Sequence, residues 1–420
     1  MKVLIRNAEI INHGSRHHLK KRNVIVENGK IGFIGSKMPE ADKVVKGDDL
    51  KVSAGWFDMN VLFGDPGYEY KEDLKSGLSA ASNGGFTGIG LLPNTQPAIQ
   101  TKNDLAYIKS ENQTSITQIF PYAAVTRDVK GEDLTDMIDL DNAGATAFTD
   151  GVKPIWKSDI LLKTLQYLQK FNGLLINRPE DLNLNLFGNM HEGKTSTILG
   201  MKGMPSISEE IMIARDIRLL EYAGGKFHFS NISTGKGLEI IGKAKKRGLN
   251  VTCDVAAHQF VLTDQELTGY DTNYKVNPPL REASDSQALV NGLKDGTIDA
   301  ITSSHRPHDE ESKKLEFDHA EFGMIGLQTV LHCLNQVSSK VSLEQLIALI
   351  TSGPRNILGI KNPKIEVGEP AELTVFSDSD SFLFDESTNH SRSNNSPWLG
   401  KELTGKILAV FNNKKQLILG

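Results

Sequence analysis

SAGWFDMNVLFGDPG, residues 53–67, decides how the rest of the chain is read. The run from Gly55 to Val61 has the length and apolar character of a short buried strand. It ends in a Gly/Pro turn at Gly64-Asp65-Pro66-Gly67.

Outward from it, apolar strand-like runs alternate with helical ones. They are Gly88–Leu92, Ile119–Ala124, Ala145–Thr149, Gly173–Ile176, Lys226–Phe229, Leu249–Cys253 and Asp299–Thr302. With the first stretch they make eight. Helical stretches fall between them, around Leu74–Ser82, Asp104–Ser110 and the amphipathic Ser208–Tyr222. Eight βα units predict an α/β chain built as a (β/α)8 barrel over about 53–363, with functional residues where the strands end.

The two ends of the chain read differently. Residues 1–52 carry short strand signals at Val3–Ile5, Asn23–Val26 and Ile31–Ile34, broken by Glu27-Asn28-Gly29. Matching runs return at Ala371–Phe376 and Ile407–Phe411, followed by a hairpin turn at Asn412–Lys415. The expectation is one composite β-sandwich domain from 1–52 and 364–420. The polar run Ser377–Asp380 reads as an ordinary loop, and the turn His17-His18-Leu19-Lys20-Lys21-Arg22 as a solvated face.

Composition narrows the function classes. The formal net charge is -5 over 420 residues, with Lys+Arg 47 against Asp+Glu 52, so there is no polybasic signature for nucleic acid or membrane. The start, MKVLIRNAEI, has no apolar core of signal-peptide length. Cys253 and Cys333 are the only cysteines, which fits a reducing cytoplasm and excludes a Cys-rich zinc site. Phosphate-binding glycine loops and G-x-S-x-G elbows are absent.

The opening stretch resembles the first barrel strand of the amidohydrolase superfamily, and of dihydroorotases especially: P-G-x-x-D-x-H-x-H-x-R-x-P-G. Gly55, Asp58, Pro66 and Gly67 match that frame, but the two histidines are Asn60 and Leu62, and the Arg is Gly64. The resemblance continues strand by strand. Leu92–Pro97 is close to M-P-N-T-x-P, Phe148–Gly151 to F-T-D-D-G, and His228–Thr234 to H-x-x-H-I-S-T. Asp271–Arg281 nearly repeats D-T-N-Y-K-x-N-P-P-L-R, and Asp295–Asp299 repeats D-G-T-I-D. Ser303–His308 stands against T-D-H-A-P-H, and Glu321–Gln328 against P-F-G-x-x-G-L-E. GEPAELTVF resembles the entry strand of the β-sandwich that amidohydrolases carry beside the barrel.

The resemblance implies substrate-binding roles for Asn94, Asn277 and His308; the bland alternative is that each hydrogen-bonds loops. It implies zinc as cofactor, held by histidines, with an aspartate as base. Here the fifth-strand His is Arg178, the sixth-strand ligand is Asn231, the base is Ser304, and Asp150 is a remnant of a metal-bridging aspartate. Zinc lowers the pKa of its bound water to about 7, which amide hydrolysis at neutral pH needs. Leucine has no lone pair, arginine repels cations, and an unassisted serine is no base. The chain therefore predicts no catalytic and no metal-ligating residue at the inherited positions. Arg178 is expected to fill the metal volume and pair with Asp150, or with Asp58 if Asp150 turns away. His305 and His308 could suggest a displaced metal pair, whereas His228 and His258 read as packing histidines.

Two function classes follow from the resemblance. One is a noncatalytic dihydroorotase homologue in pyrimidine biosynthesis, kept for assembly, regulation or ligand sensing. Family precedent implies aspartate carbamoyltransferase or an active dihydroorotase as partner, a homo-oligomer, and a small ligand resembling dihydroorotate. The other is an active cyclic amidohydrolase converting dihydroorotate to N-carbamoyl-aspartate. Metal analysis separates them.

Overall fold

The computed structural model describes residues 1–419. The opening stretch forms the strand Trp56–Val61, every residue of it buried. It pairs in parallel with Phe86–Leu91, which pairs with Gln118–Pro121. A second parallel set runs Leu174–Asn177, Lys226–Phe229, Val251–Ala256 and Ala300–Thr302. The two sets join at single-residue bridges, Phe148 to both Ala123 and Leu175, and Val61 to His305. The result is a closed (β/α)8 barrel.

The fourth strand differs from its expectation. Ala145–Thr149 bonds to both neighbours, through Phe148 N to Leu174 O at 3.0 Å and Ala123 N to Ala147 O at 3.0 Å, but is too short to form a ladder. The left-handed Gly144 before it and Gly151 after it leave only a few extended residues between two turns.

One mixed sheet joins both ends of the chain. Its order is Lys415–Ile418, Lys401–Asn412, Leu373–Phe384, Leu50–Ala54, Lys2–Ile11, Lys21–Glu27 and Lys30–Gly35, with Lys43–Val45 on Lys2–Ile11. The sheet wraps a core of its own containing Val3, Ile5, Val24, Val52, Val375, Leu408 and Phe411. Asn413 and Lys414 both have positive φ between paired Asn412 and Lys415, the geometry of a tight two-residue hairpin turn. Ser377–Asp380 is not a loop. It is an irregularity inside the strand Leu373–Phe384, where Asp378 accepts from the buried Lys51 ammonium at 2.6 Å. Trp56 ties barrel to sandwich, its ring edge-on to Phe86 and Phe376 at 5.9 and 5.2 Å.

Residues 385–400 leave the sandwich and return over the barrel mouth. Arg392 N donates to Glu72 Oε1 at 3.0 Å, and Asn395 Oδ1 accepts from His308 N at 3.0 Å. No helix among the described residues is long and apolar enough to cross a membrane.

Candidate functional site at the barrel mouth

The strand ends converge as the fold requires. On the first strand the Asp58 carboxylate is buried and accepts from Asn60 N at 2.9 Å and Ser303 N at 2.8 Å. Burial raises its pKa against those two bonds. Asn60 donates to Ser230 Oγ at 2.6 Å and accepts from an Arg306 Nη2 donor. Leu62 packs among Phe57, Met59, Leu92 and Tyr122. At Gly64 a Cβ would overlap the Tyr68 carbonyl, so this backbone has no room for the family's arginine. Across the barrel, Asn231 donates to Ser304 Oγ at 3.0 Å, and both residues hold left-handed φ, +56° and +49°. Such backbone costs on the order of 1 kcal/mol or more and persists only where surroundings fix it.

Arg178 is buried, but its partner is neither Asp150 nor Asp58. Its Nη2 faces Glu180. The reason is prior occupancy. Asp150 already accepts from Thr126 N at 2.9 Å and Thr126 Oγ1 at 2.5 Å, while Asp58 faces the two amides named above. Glu180, two residues along and itself buried, takes the guanidinium on Oε2 while its Oε1 accepts from Asn185 at 2.8 Å. Burial pushes the Asp150 pKa up to about 6 against the hydrogen bonds from Thr126 and the Val125 backbone and the charge of Lys153. Sequence reasoning missed Arg306, which replaces a small residue in the T-D-H-A-P-H frame. An arginine beside Pro307 on a charged loop reads as solvent-facing, and only the fold turns it inward onto Asn60.

The three residues assigned to substrate binding all engage the protein. Asn94 donates to Asp150 O at 2.9 Å and accepts from Val152 N at 3.0 Å. Asn277 donates to Glu180 Oε1 at 3.2 Å. His308 Nε2 donates to Phe322 O at 3.1 Å, and its Nδ1 lies 3.3 Å from Lys71 Nζ. Burial, Lys71 and Lys313 push its pKa down to about 3, so its ring is neutral at pH 7. The three form no hydrogen bond with one another among the described residues.

The remaining histidines divide. His305 faces Glu72 at 3.4 Å and accepts from Gly326 N at 3.2 Å, so it is not half of a metal pair with His308. His228 bridges Asp254 and Thr252, both at 2.8 Å, inside the barrel. His258 is 5 % exposed, yet its ring nitrogens have no hydrogen-bond partner among the described residues. His18 is not fully solvated: it is half-buried against Glu344 at 3.1 Å, with the His13 ring tilted beside it at a centroid distance of 4.5 Å. These three are the one group of metal-type donors within 4.8 Å of one another among the described residues. His18 Nδ1 accepts from Asn12 N, so Nε2 carries the proton toward Glu344. A metal-bound histidine has the opposite polarity, donating from its other nitrogen.

At the barrel mouth the donor set does not fit zinc. Asn60 and Asn231 spend their amides on serines, Leu62 offers nothing, and two guanidinium groups replace imidazole and a small residue.

A closed parallel barrel with its polar cluster at the strand ends, joined to a sandwich built from both termini, is the architecture of cyclic amidohydrolases. Its backbone is similar to that of L-hydantoinase (dihydropyrimidinase) from Arthrobacter aurescens, with a TM-score of 0.84 at 22 % identity, covering 100 % of this chain and 97 % of that one. Dihydropyrimidinase from Brevibacillus agri gives 0.83 at 20 % identity, covering 100 % and 95 %. Residues 51–237 match the family model described as dihydro-orotase-like. Over 409 residues the chain is 38 % identical to a dihydroorotase from Pelotomaculum thermopropionicum, covering 96 % of each. Over 425 residues it is 40 % identical to one from Trichlorobacter lovleyi, covering 100 % of each. The chain belongs to the dihydroorotase-like family.

Proposed function

We propose that this dihydroorotase-like protein serves pyrimidine biosynthesis without performing the metal-assisted ring opening, in a structural, regulatory or ligand-sensing role. The observation that carries the reading is the state of the inherited positions. Asn60, Leu62, Arg178, Asn231 and Ser304 bond to protein groups or pack, and Arg306 brings a guanidinium onto Asn60. These positions offer no imidazole, thiolate or carboxylate for zinc and no unassisted base to take a proton from water. An aspartate carbamoyltransferase, an active dihydroorotase or a second copy of this chain are the partners this reading favours.

A second reading, an active dihydroorotase, is favoured by the names of full-length relatives at 38–40 % identity. One experiment decides. Purified protein supplied with zinc is assayed for dihydroorotate hydrolysis beside metal analysis. The first reading expects background turnover and no stoichiometric zinc. It also expects that restoring His at Asn60 and Leu62 leaves turnover at background, since Arg178, Asn231, Ser304 and Arg306 remain. Turnover of the native chain that chelator abolishes would establish the second.

A further inference from the structure

The turn after the fifth strand carries apolar side chains where water reaches them. Its sequence from Leu182 to Met190, LNLNLFGNM, has no charged residue. The turn is built by polar groups: Asp181 Oδ1 accepts from Asn183 N at 2.9 Å and Leu184 N at 3.1 Å, and Asn185 N donates to Asp181 O at 3.1 Å. Its leucines are not needed for that geometry and point outward. Phe187 holds φ at +61°, an unusual backbone for a bulky side chain. Only the Lys202 ammonium, 5.4 Å from the ring centroid, lies over its face among the described residues.

The turn rests on the helix Ile207–Ala223. Ser208 Oγ donates to Asp181 O at 3.1 Å and accepts from Asp181 N at 2.9 Å, and Asn189 N donates to Lys202 O at 2.9 Å. The helix buries Ile213, Ile217 and Leu220 in the barrel core. Its outer side, ordinarily polar in a surface helix, begins instead with Ile207 and Ile211, one turn apart. Leu182, Leu184, Leu186, Phe187, Ile207 and Ile211 are all between 40 % and 76 % exposed.

These six side chains leave on the order of 500 Å² of apolar surface in one place, at the upper end of what a monomer exposes. One side of a standard interface is about 800 Å², and homodimer interfaces are about 65 % apolar, which again comes to about 500 Å². The charges at its edge have both signs: Lys202 lies over Phe187, and Glu192 packs beside Gly203. A strongly acidic or basic partner finds no complement there, whereas two copies of the same patch meet without like-charge repulsion. We infer that this face is a two-fold interface between two copies of the chain, with Phe187 of each set against the Ile207–Ile211 stripe of the other. A two-fold axis makes each such contact twice. Asn185, between the exposed Leu184 and Leu186, donates to Glu180 at 2.8 Å, which sets the interface one residue from the Arg178–Glu180 pair. The inference takes the second copy among the partners proposed above and gives it a surface, and it holds whether or not the barrel mouth turns over substrate.

The test is light scattering of the full chain after size exclusion, over a range of concentrations. A species of twice the 46.1 kDa chain mass is expected. Phe187→Asp and Ile211→Asp, on separate elements, each place two like charges in one dimer. Either should raise the dimer dissociation constant on the order of a hundredfold or more, as truncating a central anchor does when it occurs twice. Both positions are exposed, so circular dichroism and Tm of the monomer should hold; if one variant fails to fold, the other decides. Met38→Asp, exposed in the terminal domain, should leave the dimer unchanged. A chain monomeric at every concentration overturns the inference, including one that assembles only with a different protein. A dimer that Phe187→Asp and Ile211→Asp both leave intact overturns it as well, since its interface then lies elsewhere. Dihydroorotate hydrolysis by the dimer would sink the noncatalytic reading and leave this inference standing; a monomer without turnover would do the reverse.

Discussion

Replacing Glu180 by Ala tests the interior arrangement most directly. The Arg178–Glu180 pair has side chains 10 % and 7 % exposed, so neither charge is well solvated. Removing one partner of such a pair typically costs about 3–5 kcal/mol, because the other charge is stranded. Asn185 and Asn277 lose their acceptor in the same step, so the upper end applies. Unfolding entropy of about 2.1 cal/mol/K per residue gives about 0.9 kcal/mol/K for a 420-residue chain unfolding as one unit. The expected fall in Tm is then about 4–6 °C, read by calorimetry at pH 7. Glu180→Gln keeps an acceptor for the asparagines and should recover part of the loss. A Glu180→Ala variant melting within about 1 °C of the native chain would refute the reasoning, since a formed and buried pair cannot be broken so cheaply.

Tyr122 is wholly buried at the end of the third strand, and its hydroxyl has no hydrogen-bond partner. An unpaired buried hydroxyl costs about 1–3 kcal/mol, so Tyr122→Phe should melt at or above the native temperature; a fall would reveal a partner. His308 is kept neutral in the fold, its pKa about 3 against an ordinary 6.5. A lowered histidine pKa means the unfolded chain binds the proton first, so its stabilising contribution is full above about pH 6.5 and shrinks as pH falls toward 3. His308→Gln should therefore flatten the loss of urea stability between pH 7 and pH 5. An unchanged slope would show that His308 titrates normally.

Much of the fold was legible because barrel strands buried on both faces are short apolar runs, and those runs alternate with helical stretches. Ala145–Thr149 looked like its neighbours because composition marks a strand's burial and not the length of its ladder. Of the site, the departures at Asn60, Leu62, Asn231 and Ser304 could be read directly, since each falls in a motif whose frame survives. The partner of Arg178 could not. Sequence order placed Asp150 and Asp58 at the same end of the barrel, but says nothing of the Thr126, Asn60 and Ser303 donors that occupy them. Arg306 escaped for the same reason: a side chain's direction on a loop is set by tertiary packing. The return of residues 385–400 to the mouth, through Arg392 and Asn395, was equally invisible, because polar loops carry no periodicity that points to a docking site.

The replacements at the barrel mouth make sense as one set rather than as separate losses. A metal-binding amidohydrolase mouth holds carboxylates and imidazoles that would repel or starve for partners once the cation is gone. In this chain the first strand's Asn60 reaches Ser230 beyond the sixth strand, and Asn231 beside it reaches Ser304 beyond the eighth. Arg306 then returns from the eighth strand end to Asn60. The circuit stitches strands one, six and eight with side-chain bonds, in the region where a metal would otherwise cross-link them. The members are linked: histidine at position 60 could not both donate to Ser230 and accept from Arg306 in the asparagine's geometry, and the Ser304 hydroxyl is the acceptor of the Asn231 amide. Reverting position 60 alone would therefore leave a polar group unpaired, at about 1–3 kcal/mol, before the other zinc ligands had been restored. On the proposed noncatalytic reading, that coupling accounts for scaffold motifs such as Asp271–Arg281 persisting around the exchanged positions.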